Sequence, residues 1–230
     1  MTLFKNIFHF YFLNYSIFLL KIEIMNLQVE DLNDESRFKH LLTLSYDDIA
    51  FFVIEYLRKK SVITIFFWSV CLIFLCISII IRINIAGYYK WIQIFYHSLI
   101  GIILLPLIII PVHEFLHATP FFITGARNIR VGADLRQFIF YVTVHRQVIT
   151  PGIFKLVAWF PFVTISIISL VLIYFLPGLW KWSLALFLFV HATMCAGDIG
   201  MLNFYYINRP KKILSWDDAD KREAYFYEEI

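Results

Sequence analysis

The chain alternates between long apolar blocks and short polar connections, and the length of the blocks decides what they are. Four blocks, over residues 62–81, 93–110, 156–176 and 182–206, are each near the roughly 20 helical residues needed to cross a hydrocarbon core. Each predicts a transmembrane helix. The second does not stop cleanly, because it runs past Ile110 into polar residues at His113. No internal repeat is visible. Residues 3–20 make a further apolar and aromatic block, with Lys5 near its start and Lys21 after its end. It reads as a fifth span, a signal-like segment or an interfacial helix, and Met25 offers an alternative start. A cleaved signal peptide is disfavoured, since it would leave Asn26 outside the cell while the basic cluster at Arg58, Lys59 and Lys60 argues for the inside.

The connections carry their own patterns. Residues 25–60 are mixed and charged and predict a small cytoplasmic helical segment. The 125–152 loop opens with Gly125 and closes with Pro151-Gly152. Within it Phe138, Phe140, Val142 and Val144 alternate with Ile139, Tyr141 and Thr143, which predicts a strand, one arm of a hairpin. Residues 208–230 read as a cytoplasmic tail. The expected fold is an all-α membrane protein, a polytopic transmembrane helical bundle with a short cytoplasmic β-hairpin-like loop. Its divisions are an apolar N-terminal segment (1–24), the helical segment (25–60), the transmembrane domain (61–207) and the tail (208–230).

Composition agrees: 60% of residues are hydrophobic and 16% charged, against roughly 25% charged in an ordinary soluble domain. The net charge of +3 matters less than where the charges sit. Arg58, Lys59 and Lys60 precede the first span; Arg127, Arg130, Arg136 and Arg146 lie between the second and third; Arg209, Lys211, Lys212, Lys221 and Arg222 follow the fourth. The intervening loops hold only Arg82 and Lys90, then Lys181. The positive-inside rule therefore places residues 26–60, the 125–152 loop and the C terminus in the cytoplasm. The basic residues form no aromatic-interleaved groove, so a nucleic-acid partner is not expected. Cys71, Cys76 and Cys195 all fall in apolar blocks, which gives no disulfide framework and no zinc-finger spacing.

The polar residues that interrupt the second block are His113-Glu114-Phe115-Leu116-His117. On a helix, positions i and i+4 share a face, so both imidazoles can hold one zinc ion. Glu114 stands beside that face, where a carboxylate can take a proton from water and pass it to a leaving amine. The bland alternative is two helix-end histidines and a snorkelling glutamate. It leaves three ionisable groups within five positions at the edge of a span, each costing up to about 3 kcal/mol at the membrane centre. A divalent cation is the partner that relieves them.

A catalytic zinc takes three protein ligands and keeps one position open. Asp198, in the fourth block, is sixteen residues past Trp182 and so about 24 Å along a straight helix. The motif begins twenty residues past Gln93, about 30 Å along. Both spans run inward in the charge-derived topology, so the two sites share the cytoplasmic third of the bilayer. Gly197 and Gly200 flank the aspartate and leave room for close helix approach. His191 lies one heptad earlier, about 10 Å shallower. It is a secondary candidate that would ligate, orient a ligand, bind substrate or hydrogen-bond within the bundle. Cys195 shares its face and reads as core; Asp134 and His145 read as solvated loop residues.

The ordered set of an apolar helix ending in His113-Glu114-x-x-His117-Ala118, a strand-bearing loop, Phe154-Lys155-Leu156-Val157-Ala158-Trp159-Phe160-Pro161, His191, Gly197-Asp198-Ile199 and Trp216-Asp217-Asp218 resembles the bacterial "putative zincin peptidase" membrane family. The resemblance runs from Pro111 to the C terminus. That family is similar in logic to the site-2 proteases, which place H-E-x-x-H on one span and an aspartate ligand on a later one. The resemblance implies Zn2+ held by His113, His117 and Asp198, with Glu114 as base, in a bacterial-type cell membrane. Site-2 proteases carry an asparagine and a proline ahead of the aspartate and a glycine directly after it. Here Gly197 precedes Asp198 and Ile199 follows, so substrate positioning does not transfer. The expected function is a zinc metalloprotease acting on a membrane-associated polypeptide at the cytoplasmic face. The rivals are a non-enzymatic metal-binding membrane protein and, with no repeated broken helices, a less favoured transporter.

Overall fold

The computed structural model describes residues 27–134 and 139–230. The apolar block at residues 3–20 lies outside the described residues. The molecule is mostly helical, with two small antiparallel sheets at one end.

Helix α1 (Ile49–Arg58) leads into α2 (Val62–Asn84), which starts at a capping box: the Ser61 hydroxyl accepts from Ile63 and Thr64 N–H while Thr64 reaches back to Ser61 N–H. Helix α3 (Trp91–Leu99) passes through a π-helical stretch at Ile100–Leu104 into α4 (Leu105–Ile123), and together they form one continuous 33-residue helix. Helix α5 spans Pro151–Phe175. Helices α6 (Gly178–Met194) and α7 (Ala196–Ile207) are bent by 41° where they meet at Cys195. Three helices are long and apolar enough to cross a membrane, or four if the bent pair is one span. Their outward faces hold large exposed apolar side chains such as Ile65, Trp68, Leu72, Ile108, Ile167 and Val171. Apolar area on that scale is not left facing water by a soluble monomer, so these helices fit a membrane protein.

The fourth block was expected as one continuous helix and is broken instead. Gly197 follows the break, and glycine weakens helix continuity by about 1 kcal/mol relative to alanine. Inside the bundle, small residues bring helices together. A Cβ on Gly101 would sit 2.4 Å from the Ser183 carbonyl oxygen, so the π-helical stretch lies directly against α6. The Ser78 hydroxyl donates to Ala185 O at 2.8 Å, tying α2 to α6 with its polar group satisfied.

Two departures from expectation concern the polar segments. Residues 25–60, expected to be helical, contain α1 but also strand β1 (Phe38–Ser45). The C-terminal segment, expected to be a tail, folds into β4 (Lys212–Asp218) and β5 (Glu223–Glu229). These make one antiparallel sheet in the order β1-β5-β4, with Phe38 opposite Glu229 and Asp218 opposite Glu223. Burial explains the pairing: Leu44, Ile213, Ala224 and Phe226 face Phe204 and Tyr205 of α7 and cover the end of the helical bundle. The expected hairpin in the 125–152 loop is present as β2 (Ile129–Asp134) and β3 (Ile139–Val144), paired from Ile129–Val144 to Asp134–Ile139. Isolated bridges from His145 to Asp217 and from Ile149 to Ser215 fasten its outgoing strand to the edge of β4.

Candidate metal centre

Helix α4 carries the histidine pair between two internal prolines, Pro111 and Pro120. Each proline removes one helical N–H bond, so this stretch depends on packing rather than on its own backbone ladder. That packing comes from α5, α6 and α7. It buries His113 and His117, which are 8% and 7% exposed, and turns both imidazoles to the same side.

Their Nε2 atoms are 3.1 Å apart. Asp198 reaches the same point from the first turn of α7, with its carboxylate oxygens 3.5 Å from His113 Nε2 and 3.3 Å from His117 Nε2. The helix start suits a carboxylate, because the free N–H groups of the first turn carry partial positive charge. The break at Cys195 creates that start. It places Asp198 at the third residue of a new helix instead of in the middle of a long one.

The spacing fits a zinc ion. Zn–N and Zn–O bonds of about 2.0–2.1 Å at tetrahedral angles put ligand atoms about 3.3 Å apart. The proton positions fit too. His117 Nδ1 lies 3.1 Å from the Val157 carbonyl, which only accepts, so Nδ1 is the donor and a neutral His117 turns a bare lone pair inward at Nε2. Lone pairs from two imidazoles and a carboxylate converge on one point, an arrangement that calls for a cation. Partners on the outer nitrogens of metal-bound histidines are what hold such rings in place.

His191 completes that outer layer. It is fully buried, and its Nε2 lies 3.2 Å from His113 Nδ1, on the far side of the ring from Asp198. Of the roles open to His191, which were to ligate, orient a ligand, bind substrate or hydrogen-bond within the bundle, this geometry fits orienting a ligand. His191 stands behind His113, one imidazole away from the converging lone pairs. With His113 presenting Nε2 inward, His113 Nδ1 donates to His191 Nε2. His191 Nδ1 has no protein partner. A second grouping of His113, His191 and Cys195 lies within ligand range of itself but is fully buried, with no face open to a substrate. Cys195 donates to the His191 carbonyl oxygen at 3.3 Å.

Glu114 follows His113 on α4, and its Oε2 is buried without a hydrogen-bond partner. It lines a cavity of about 200 Å³ together with His117, Asp198 and Gly197. The cavity extends from the helices to the sheet, where Thr143 and Asp217 complete its wall. Burial pushes the Asp217 carboxyl up to about 6, opposed by the hydrogen bond from Thr143 and by the nearby Tyr46 phenol. The Tyr46 phenol is held above its ordinary range by burial and by the charge of Asp217.

The other sequence candidates lie elsewhere. His145, directly after β3, packs against the β4–β5 turn, with Nδ1 accepting from Ala219 N–H at 3.1 Å and Nε2 3.6 Å from Asp220. Asp134 ends β2, its backbone paired with Ile139. Two contributors were not expected at the site: the Val157 carbonyl, a backbone atom, and the wall bearing Tyr46 and Asp217, although Asp217 stands in one of the motifs that carry the resemblance.

No curated protein and no solved structure matches the chain. Residues 106–214, which hold His113, Glu114, His117, His191 and Asp198, match the model of the "Putative zincin peptidase" family, the family whose order of motifs the sequence resembles.

Proposed function

We propose that this chain is a membrane-embedded zinc metalloprotease that hydrolyses peptide bonds at the cytoplasmic membrane face. The observation that carries the reading is the meeting of His113, His117 and Asp198, with His117, Asp198 and Glu114 lining one cavity. The family description points to a metallopeptidase. His113, His117 and Asp198 would hold the ion, which when bound polarises a scissile carbonyl and makes water acidic enough to deprotonate near neutral pH.

The remaining work falls to the protein. Glu114 accepts the proton of the attacking water through its unpartnered Oε2 and returns it to the departing amine. The Val157 carbonyl and His191 keep the two imidazoles oriented. The apolar walls at Phe121, Phe154 and Val157 exclude bulk water from the carboxylate. The substrate is a membrane-associated polypeptide, and an extended segment of it would pair with a strand of the β2–β3 hairpin by main-chain hydrogen bonds.

The test is a split between metal and activity. The purified protein should hold about one zinc per chain. His113→Ala and His117→Ala should each lose most of it, and Asp198→Ala should weaken binding strongly. Glu114→Gln should keep the metal and lose hydrolysis by at least about 100-fold. Unchanged proteolysis in Glu114→Gln would remove the mechanism. A protein purified gently without chelator that contains no divalent metal would remove the zinc centre itself.

A further inference from the structure

Besides Glu114 and Asp198, the cavity has a third carboxylate, Asp217 on the sheet side, and the hydrolytic mechanism does not use it. Asp217 projects from β4 beside Thr143 of β3, whose hydroxyl donates to its Oδ2. The Tyr46 phenol oxygen stands in the same wall, buried and without a hydrogen-bond partner. Among the described residues no Lys or Arg pairs with Asp217. Asp198 and Glu114 face the two histidines, whereas Asp217 faces only hydroxyl groups. Buried carboxylates are normally paired with a cation, because leaving water costs more than neutral donors return. Here the partner is missing from the wall while the wall lines an open cavity.

The passage between Glu114 and Asp217 is apolar, walled by Phe121, Phe154, Ile149 and Met201. An apolar channel ending in a carboxylate, a hydroxyl and an unpartnered phenol matches one kind of side chain. Lysine and arginine carry a methylene stem that packs on apolar surface and a cationic head that needs acceptors. An acidic side chain would be repelled, and a purely apolar one would leave Asp217 without a cation and the Tyr46 phenol without a partner. We infer that Asp217 and Tyr46 form the end of a specificity pocket for a basic side chain, lysine or arginine, of the polypeptide substrate. The inference rests on the proposed proteolytic function for its substrate and on the cavity for its chemistry.

Two measurements separate the pocket from the reaction. The first uses zinc-loaded Glu114→Gln protein in nanodiscs and fluorescent decapeptides, identical except for one residue placed at each position in turn. That residue is lysine, arginine, norleucine or glutamate. Norleucine keeps the stem without the charge. Binding followed by anisotropy should favour lysine or arginine over norleucine by at least about tenfold at one position, the order expected for a paired buried charge. Asp217→Asn in the same background should abolish that preference while leaving norleucine affinity and zinc content unchanged. The second measures cleavage of the same peptides by the wild-type protein. Basic preference in binding without cleavage would keep the pocket and remove the protease. Cleavage indifferent to lysine against norleucine would keep the protease and overturn the pocket. Neither binding nor cleavage of any peptide would overturn both. The norleucine comparison on wild type needs no variant, so misfolding of Asp217→Asn cannot shelter the proposal.

Discussion

At the scale of single residues, the centre divides into atoms that would touch a metal and atoms that aim them. His113 and His117 were legible because four residues along a helix is one turn, and no tertiary information is needed to align them. Asp198 was legible through depth, by counting residues along two inward-running spans. For His191 the sequence left four roles open. Whether it offers a nitrogen to the centre or to the back of His113 depends on which side of that ring it approaches, and sequence spacing does not encode this. The structure places it 3.2 Å from Nδ1, the outer nitrogen. A distinct prediction follows from that position. His191→Ala should retain about one zinc per chain at saturation but bind it about 10–100-fold more weakly in chelator competition, the usual cost of removing a hydrogen-bond partner behind a ligand. His191→Gln, whose amide oxygen can still accept from His113 Nδ1, should recover most of the loss. Complete loss of zinc in both variants would make His191 a ligand and require a different set of inward nitrogens.

At the scale of elements, apolar length was a sufficient guide to the spans and a poor guide to what interrupts them. The π-helical stretch at Ile100–Leu104 and the break at Cys195 lie inside blocks that read as uniform. Strand β1 pairs with a partner almost the whole chain away, and its sequence lacks a strict alternation that would reveal it. The C-terminal hairpin hid behind its charges: Asp217, Asp218, Lys221 and Arg222 cluster around its turn, while Ala224 and Phe226 take the buried positions. The glycines beside Asp198 show how far a close-approach argument reaches. Gly200 is the one pressed against another helix, since a Cβ there would lie 2.8 Å from both Val53 Cγ1 and the Val53 carbonyl oxygen of α1. Gly197 has nothing within 4 Å and opens onto the cavity. Alanine at either position gains about 1 kcal/mol of helix propensity. Only Gly200→Ala also has to displace backbone, at about 1–3 kcal/mol. Thermal unfolding in detergent should therefore place Gly200→Ala below Gly197→Ala by roughly that packing cost. Equal midpoints would show that α1 can move away from α7 at no expense.

At the scale of the whole molecule, structure and charge answer different halves of one question, which is how the chain sits across its membrane. Strand β1, the residues at His145 and Ile149, and strands β4 and β5 are joined by main-chain hydrogen bonds, so they must share a side. Asn203 of α7 adds a link at the same end: its amide donates to the Tyr56 and Lys59 carbonyls at 2.7 and 3.0 Å, and its oxygen accepts from the Ser61 hydroxyl. At the other end Gly178 lies against Tyr89, so the two short loops also share a side. The packing is indifferent to which side is which; the basic residues are not. Arg58, Lys59 and Lys60, then Arg127, Arg130 and Arg146, and the cluster from Arg209 to Arg222 all belong to the sheet end. The opposite loops carry Arg82, Lys90 and Lys181 alone. The sheet end, with the cavity beneath it, is therefore expected in the cytoplasm. Reporter fusions after residue 60, within 125–150 and at the C terminus should all report cytoplasm, and fusions near Gly87 and Gly178 should report the outside. The two sources of the argument fail differently. All five fusions inverted together would leave the fold intact and overturn the orientation, moving the proposed peptidase to the outer face. A C terminus and a 125–150 loop on opposite sides would break the bridges from His145 and Ile149 to β4, and with them the wall that joins Thr143 to Asp217.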